Sequence, residues 1–490
     1  MDHSTTRVAR HTVAYGLGSV VGGISRAILL PVVARTLAPD EYGVLSLLLA
    51  VTNFAHLVFE LGLVTSLIRF HHATEDATER RHLRSLVFFS MPLIDLALAA
   101  PLLLGREWVS RALFGTPEHG TLVVLAIGIA FFAAQFQLFL GHLRADNRSR
   151  DFAILMGVKG VVSLVVTLTL VIGMDLGVAG FLLGTLAGPA VVAVVMIPRL
   201  LLHSGLHLER ARARLRELFR FGLPLVPSAL GLWILGYLDV YLLRVLVDLD
   251  SVGIYGFASE ICLPIALLVT SIHLAWPTFS FERARKEGGP RELAMVFRHF
   301  FVVLTAGGLA VSVLRREILA ILATDRYAAA ADVIPLLALA TVLYGAAKTF
   351  ETGLQVAGNT RRLPLFVLFA AVVNAGLNVA LIPSFREMGA AGATVITNVL
   401  LGVVVLRESN RQFTIPYEVG RVIRILVAAV AVFLVSELLP PLPWWGSVAA
   451  RLALVGLFAP LLVPMRALSG AELRGLPGEF RSLLLGRGRL

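Results

Sequence analysis

Charge and sulfur are both scarce in this chain. Only 15% of its 490 residues are Asp, Glu, Lys or Arg, and one cysteine, Cys262, is present. A lone thiol rules out an internal disulfide and leaves zinc ligation and thiol catalysis without the partners they require. Cys262 falls in an apolar run and reads as a small buried apolar side chain. A Walker A loop, a zinc-binding HExxH and a nucleophile elbow are all missing, which removes the commonest hydrolase and phosphotransferase chemistries. Asp248-Leu-Asp250 imitates the metal-binding acid pair of glycosyltransferases, but it lies in a short loop on the side expected to face away from cytoplasmic nucleotide sugars. No enzyme activity, cofactor or metal is therefore expected. The net charge of +11 is spread over short loops rather than gathered in a stripe, so nucleic acid is not an expected partner either.

What is abundant is apolar sequence: 57% of the residues are hydrophobic and the mean hydropathy is +0.83. One soluble core stops growing at roughly 250 to 300 residues, and here runs of spanning length recur from end to end. They fall near 12–36, 43–68, 83–104, 120–142, 153–173, 177–199, 221–247, 252–277, 296–314, 330–356, 363–383, 388–406, 420–439 and 445–465. The expected fold class is an all-α integral membrane protein of about 14 transmembrane helices, since an unclosed strand would leave backbone groups unpaired in hydrocarbon. The first run is too long for a signal-peptide core and no small-residue cleavage site follows it, so it reads as the first span.

Arginine and lysine concentrate in alternate loops: Arg7 and Arg10, the 69–84 and 144–150 loops, the stretch to Arg220, 283–298, Arg361 and Arg362, 407–424, and the tail from Arg466. The other loops hold few cations, Arg106, Arg315 and Arg451 among them. By the positive-inside rule, both termini are expected in the cytoplasm.

An internal repeat accompanies this pattern. Ala145, Asn147 and Arg150 recur as Ala357, Asn359 and Arg362, and Gly177-Val-Ala-Gly180 recurs as Gly389-Ala-Ala-Gly392, at one spacing of 212 residues (147 to 359, 177 to 389). With a shift of one, Tyr42-Gly43 returns as Tyr255-Gly256. Helices 1 to 6 thus match helices 7 to 12 as parallel repeats. The expected organisation is a six-helix bundle (1–202), a cytoplasmic connector (203–220), a second six-helix bundle (221–410), two additional transmembrane helices (411–466) and a cytoplasmic tail (467–490).

Three groups of residues resemble a known family: Tyr15-Gly-Leu-Gly18 leading to Leu37-Ala-Pro-Asp-Glu-Tyr-Gly43, Tyr237-Leu-Asp239 leading to Ser251-Val-Gly-Ile-Tyr-Gly256, and Gln355-Val-Ala-Gly-Asn359 followed by Gly389-Ala-Ala-Gly392. Their order and spacing resemble the polysaccharide (O-antigen type) flippases of the multidrug/oligosaccharidyl-lipid/polysaccharide exporter superfamily. The resemblance implies two six-helix bundles around a central cavity, two extra C-terminal helices, and alternating access. It also implies a bacterial inner-membrane location and a polyisoprenyl-pyrophosphate-linked oligosaccharide as cargo, with membrane lipids as surroundings. Glycosyltransferases and the polymerase of the same lipopolysaccharide or O-antigen pathway would be its neighbours. Relatives often carry a basic residue directly after the Asp of helix 7; this chain has Val240 there, and Arg244 comes later. A cation-coupled multidrug exporter and a peptidoglycan-precursor (lipid II) flippase are the alternatives within the superfamily.

A pyrophosphate head group calls for fixed positive charge, and an ionised side chain at the centre of a spanning helix costs roughly 2.5 to 3.5 kcal/mol on insertion scales. Arg26, near the middle of helix 1, Lys159 in helix 5, Lys348 in helix 10 and Arg244 near the outer end of helix 7 are the candidate cargo-binding cations. Each has a plainer reading. Arg26 occupies the place equivalent to Asp239 in the repeat and could pair with it, Lys348 has Glu351 one turn away, and Lys159 and Arg244 could snorkel. Asp239, Glu60 and Glu351 are the candidates for gating or ion coupling, with Asp95 and Glu260 as further acids within spans. Gln135, Gln137, Asn374, Asn378 and Asn398 suit interhelical hydrogen bonds. Pro31, Pro224 and Pro227 are expected to bend helices 1 and 7. The spacings Gly18-Ser-Val-Val-Gly22 and Gly184-Thr-Leu-Ala-Gly188 suit close helix contact.

Overall fold

A computed structural model describes residues 23–146, 148–203, 211–440, 442–470 and 472, and among them there are helices and turns but no strand. The segment Tyr15–Gly18, the Gly18–Gly22 spacing, Asn147, most of the connector, Arg7, Arg10 and the arginines beyond Arg466 lie outside the described residues. Twelve described stretches are long and apolar enough to cross a bilayer. They relate simply to the fourteen sequence runs. Of the first run only 23–36 falls among the described residues, a stretch too short to count as a span. The runs 363–383 and 388–406 fall in one stretch, Thr360–Gln412, which is kinked at Arg386 (φ 50°, ψ −131°). At about 1.5 Å per residue that stretch is far longer than a bilayer's roughly 30 Å of hydrocarbon, so the kink is where the chain reverses.

The chain divides into two compact units, Met1–Gly253 and Ile254–Leu490. In the first unit, a helix over 23–36 (α1) leads to α2 (Pro39–Glu60), which starts with Pro39 in its first turn and the Glu41 carboxylate accepting from the Ala38 N–H at 2.9 Å. Leu61 and Gly62 both take left-handed backbone conformations and separate α2 from α3 (Leu63–Ala73). Next come α4 (Ala77–Leu104), the short α5 (Arg106–Phe114) and α6 (Gly120–Ala145). Because α6 carries no charged residue before His142 and is predominantly apolar on all faces, it can be covered on every side, and it forms the centre of the unit against α2, α3, α4 and α8 (Gly177–His203).

Helix α7 (Ser149–Leu168) extends through a π-helical turn at Thr169–Gly173 and behaves oppositely. Ile154, Val158, Val161, Val165 and Ile172 form an exposed stripe at helical spacing, the surface a lipid-facing helix needs. Its other face meets α8 at close range. A Cβ added to Gly184 would lie 2.0 Å from Thr167 Oγ1, and one on Gly188 would lie 2.2 Å from Ser163 Oγ and 2.5 Å from the Lys159 carbonyl. The small-residue spacing therefore does what was expected of it.

Helix α9 (Ala211–Gly222) turns the visible part of the connector back onto this unit. Leu218 is buried, its carbonyl accepts from Ser66 Oγ at 3.0 Å, and Arg214 pairs with Glu79 at the start of α4. A 3-10 turn, Leu223–Leu225, then leads to α10 (Val226–Leu246). Pro224 thus sits in the turn and Pro227 in the first helical turn, where no N–H is needed. They define the entrance of the helix rather than a bend inside it. The next helix, α11 (Leu249–Ile261), begins in this unit and ends in the second.

The second unit contains α12 (Leu263–Arg283), α13 (Gly289–Val313), α14 (Arg315–Leu322), α15 (Ala330–Phe350), α16 (Thr352–Val356), α17 (Leu363–Gln412), α18 (Val419–Glu437) and α19 (Trp444–Leu461). Helices α13 and α15 are its most buried members. Asn398 Nδ2 donates to the Ala340 carbonyl at 2.9 Å between α17 and α15, and Asn378 donates to Asn374 at 3.0 Å within α17.

Ion pairs at two levels hold α18 and α19 against α13 and α14. At one level the buried Arg298 of α13 pairs with Glu418, just before α18, and with Glu472, beyond α19. At the other, Arg315 makes a bidentate pair with Glu437 at 2.8 Å to each oxygen, and Arg451 donates to Glu317 at 3.1 Å and to the Val313 carbonyl at 2.8 Å. Partial burial pushes the Glu472 carboxyl up. Hydrogen bonds from Ser469 and the charges of Arg298 and Arg421 outweigh it and hold the carboxyl below its ordinary value.

Candidate functional site

Most of the sequence-nominated residues fall in the first unit. Lys159 is half-buried on α7, with its ammonium 5.0 Å from the centre of the Phe136 ring on α6, and no described carboxylate forms an ion pair with it. The packing of Gly188 against the Lys159 carbonyl anchors its backbone. The charge of Lys159 reaches His56 on α2, and His56 Nε2 stands 3.9 Å from Glu60 Oε1. Lys159, His56 and Glu60 are therefore brought into one neighbourhood by α7 and α2.

Arg26 is exposed on α1 and Asp239 is buried on α10; neither is without a partner. Arg244, also on α10, donates from Nη2 to the Phe114 carbonyl at 2.5 Å, at the C-terminal end of α5. That contact completes the last turn of α5 and ties α10 to it. In the second unit Lys348 and Glu351 form an ion pair at 2.9 Å. Tyr344 flanks Lys348, with the ammonium 5.9 Å from the ring centre, and the His273 ring lies close, 3.4 Å from Thr349 Oγ1.

Two features went unread in the sequence. Phe54 on α2 packs on Trp233 of α10 with ring centres 5.0 Å apart, and Trp233 stacks on Tyr237 at 5.9 Å while donating from Nε1 to the Ala50 carbonyl at 3.1 Å. The recurrence of aromatics at 233 and 237, one turn apart, was the available signal. The other is a buried contact in which Gln135 Nε2 on α6 donates to Asp95 Oδ2 on α4 at 2.7 Å. Each residue stands out in the sequence alone, and nothing there pairs the two.

The sequence matches the family described as "Polysaccharide biosynthesis protein" over residues 8–281. The chain belongs to that family. No individually curated protein matches it. Among solved structures, the chain is similar to a lipid II flippase MurJ in an inward closed conformation, with a TM-score of 0.71 at 15% identity, covering 93% of this chain and 99% of that one. It is also similar to an inward-facing multidrug resistance MATE family transporter of the MOP superfamily, with a TM-score of 0.65 at 16% identity, covering 81% of this chain and 94% of that one. A third neighbour is the MATE multidrug transporter DinF-BH, with a TM-score of 0.58 at 16% identity, covering 83% of this chain and 95% of that one. At these identities the likeness concerns the fold, that of the MOP superfamily of membrane transporters. With twelve described stretches able to span a bilayer, the chain is a multi-pass membrane protein that shares the fold of those transporters.

Proposed function

We propose that this protein flips a polyisoprenyl-pyrophosphate-linked oligosaccharide from the cytoplasmic to the outer leaflet by alternating access. The observation that carries this reading is Lys159: a half-buried ammonium inside an apolar bundle, backed by Phe136 and with no described carboxylate to neutralise it. Keeping such a charge in the membrane costs free energy unless an anion shares it. A pyrophosphate supplies that anion. Arg26, Arg244 and Lys348 are the further cations assigned to the head group, with Glu60, Asp239 and Glu351 assigned to gating or ion coupling. The stacked Phe54, Trp233 and Tyr237 offer apolar ring faces of the kind that sugar rings pack against.

In this reading the protein works in the bacterial inner membrane with both termini cytoplasmic, receiving its cargo from glycosyltransferases and delivering it to a polymerase. A lipid II flippase is the second reading, favoured by the more extensive fold match to MurJ, 93% of the chain against 81% for the MATE transporter. Deletion of the gene followed by complementation tests both. Lys159→Ala should remove surface polysaccharide while protein level is maintained, and Lys159→Arg should restore it. Unchanged export with Lys159→Ala would refute the head-group assignment. Accumulation of peptidoglycan precursor instead of oligosaccharide intermediate in the deletion strain would favour the second reading.

A further inference from the structure

Asp95 lies in the middle of α4 with no exposed surface, although the neighbouring Leu93 and Leu96 are 68% and 54% exposed. One carboxylate oxygen, Oδ2, accepts from Gln135 Nε2 at 2.7 Å, and the other, Oδ1, has no hydrogen-bond partner. No cation forms an ion pair with it among the described residues. A second carboxylate, Glu60 on α2, lies near enough for its charge to act on Asp95. His56 of α2 stands 3.9 Å from that carboxylate, and further titratable groups on the packed elements gather elsewhere. His71 of α3 and His142 of α6 gather with Arg84 at the start of α4, Arg214 of α9 pairs with Glu79, and Arg111 of α5 pairs with Glu107.

An anion in that setting is isolated from water, faces a like charge and has one donor. A neutral carboxyl there needs only that donor. Hard metal cations surround themselves with about six oxygens, and no described group of three or more His, Cys, Asp or Glu side chains is close enough to hold one. The ligand class that fits is the proton. Three residues before Asp95 stands Pro92, which has no N–H to give to the Phe88 carbonyl, so α4 has a soft point beside the carboxyl.

We propose that Asp95 is a proton-binding site, neutral while it is buried against Gln135 and emptied when α4 bends at Pro92 and admits water, so that each transport cycle carries one proton. On opening, the Asp95 O–H bond breaks, its electron pair stays on the carboxylate, and water takes the proton. Reburial requires a proton to return. The coupling role rests on the transporter reading above; the proton site itself does not.

The test uses full-length protein in lipid nanodiscs and infrared titration of the protonated-carboxyl stretching band. Wild type should show the band at neutral pH and lose it as pH rises. Asp95→Asn, which preserves the contact with Gln135, should lack it, and Glu60→Gln should retain it. A band that is missing from wild type, or present in Asp95→Asn, overturns the proton site. In cells, Asp95→Asn should lower surface-polysaccharide export at least tenfold at equal protein level. Undiminished export would overturn the coupling while leaving the flippase reading intact. An Asp95-dependent band in a protein that moves no lipid-linked sugar would support the site and count against the flippase reading alone.

Discussion

The closest helix crossing in the first unit joins the start of α2 to the start of α11, and it invites a direct perturbation. A Cβ on Gly43 would lie 2.2 Å from the Leu249 carbonyl oxygen, and one on Gly253 would lie 1.8 Å from the Pro39 carbonyl oxygen. Both obstacles are backbone atoms, so no side chain can rotate away. Ordinary contact begins near 3.4 Å, and Gly43→Ala must push the two helices apart by about 1 Å. Overpacking of this kind costs about 1 to 3 kcal/mol, roughly a 5- to 140-fold shift away from the packed arrangement at 1.4 kcal/mol per factor of ten. Ser251, fully buried at this crossing, is the reporter. In a Cys262→Ala background, Ser251→Cys should react slowly with a water-soluble maleimide, and adding Gly43→Ala should raise the rate at least fivefold. An unchanged rate in a folded, monodisperse double variant would refute the claim that this crossing is sealed by glycine.

Two further predictions concern the C-terminal helices. Arg451→Ala removes one partner of a pair buried on both sides, with side chains only 8% and 9% exposed. It should destabilise the protein by about 3 kcal/mol or more, because Glu317 is left as an unpaired buried charge. A thermal unfolding shift checks this, and Arg451→Met combined with Glu317→Leu should recover most of the loss. Glu472, whose carboxyl is held below its ordinary value, contributes its attachment to Arg298 fully above that value and loses it as pH falls through the depressed one. Hydrogen exchange at 466–470 should therefore accelerate only under clearly acidic conditions in wild type, and already at neutral pH in Glu472→Gln.

How much of this was readable beforehand depends on whether the signal is local. Spanning length and apolarity are properties of a segment, so the helices, the all-α class and the family resemblance could be read directly. The Gly184–Gly188 contact was legible for the same reason, since a four-residue spacing of small residues specifies one face of one helix. Leu61 and Gly62 break a run that hydropathy alone presents as continuous from 43 to 68, because hydropathy averages over backbone conformation. Pro224 and Pro227 were assigned to a bend within a helix, and they begin one instead, since proline suits both places and only the preceding turn distinguishes them. The partners of Asp95, Lys159 and Arg244 come from other helices. Rotation of one helix about its axis by a fraction of a turn would change each pairing without altering a single local pattern.

The paired arginines at 298 and 315 also bear on how this protein meets its solvent. Arg298 stands on α13 and Arg315 at the start of α14, a rise of at most about 25 Å at 1.5 Å per residue, comparable to the oily thickness of a bilayer, and each is riveted to a different end of α18. Neither helix can slip lengthwise past the other without tearing both rivets. The slab of protein immersed in fat is thereby set to one width, and membranes of markedly shorter or longer chains must deform themselves to suit it.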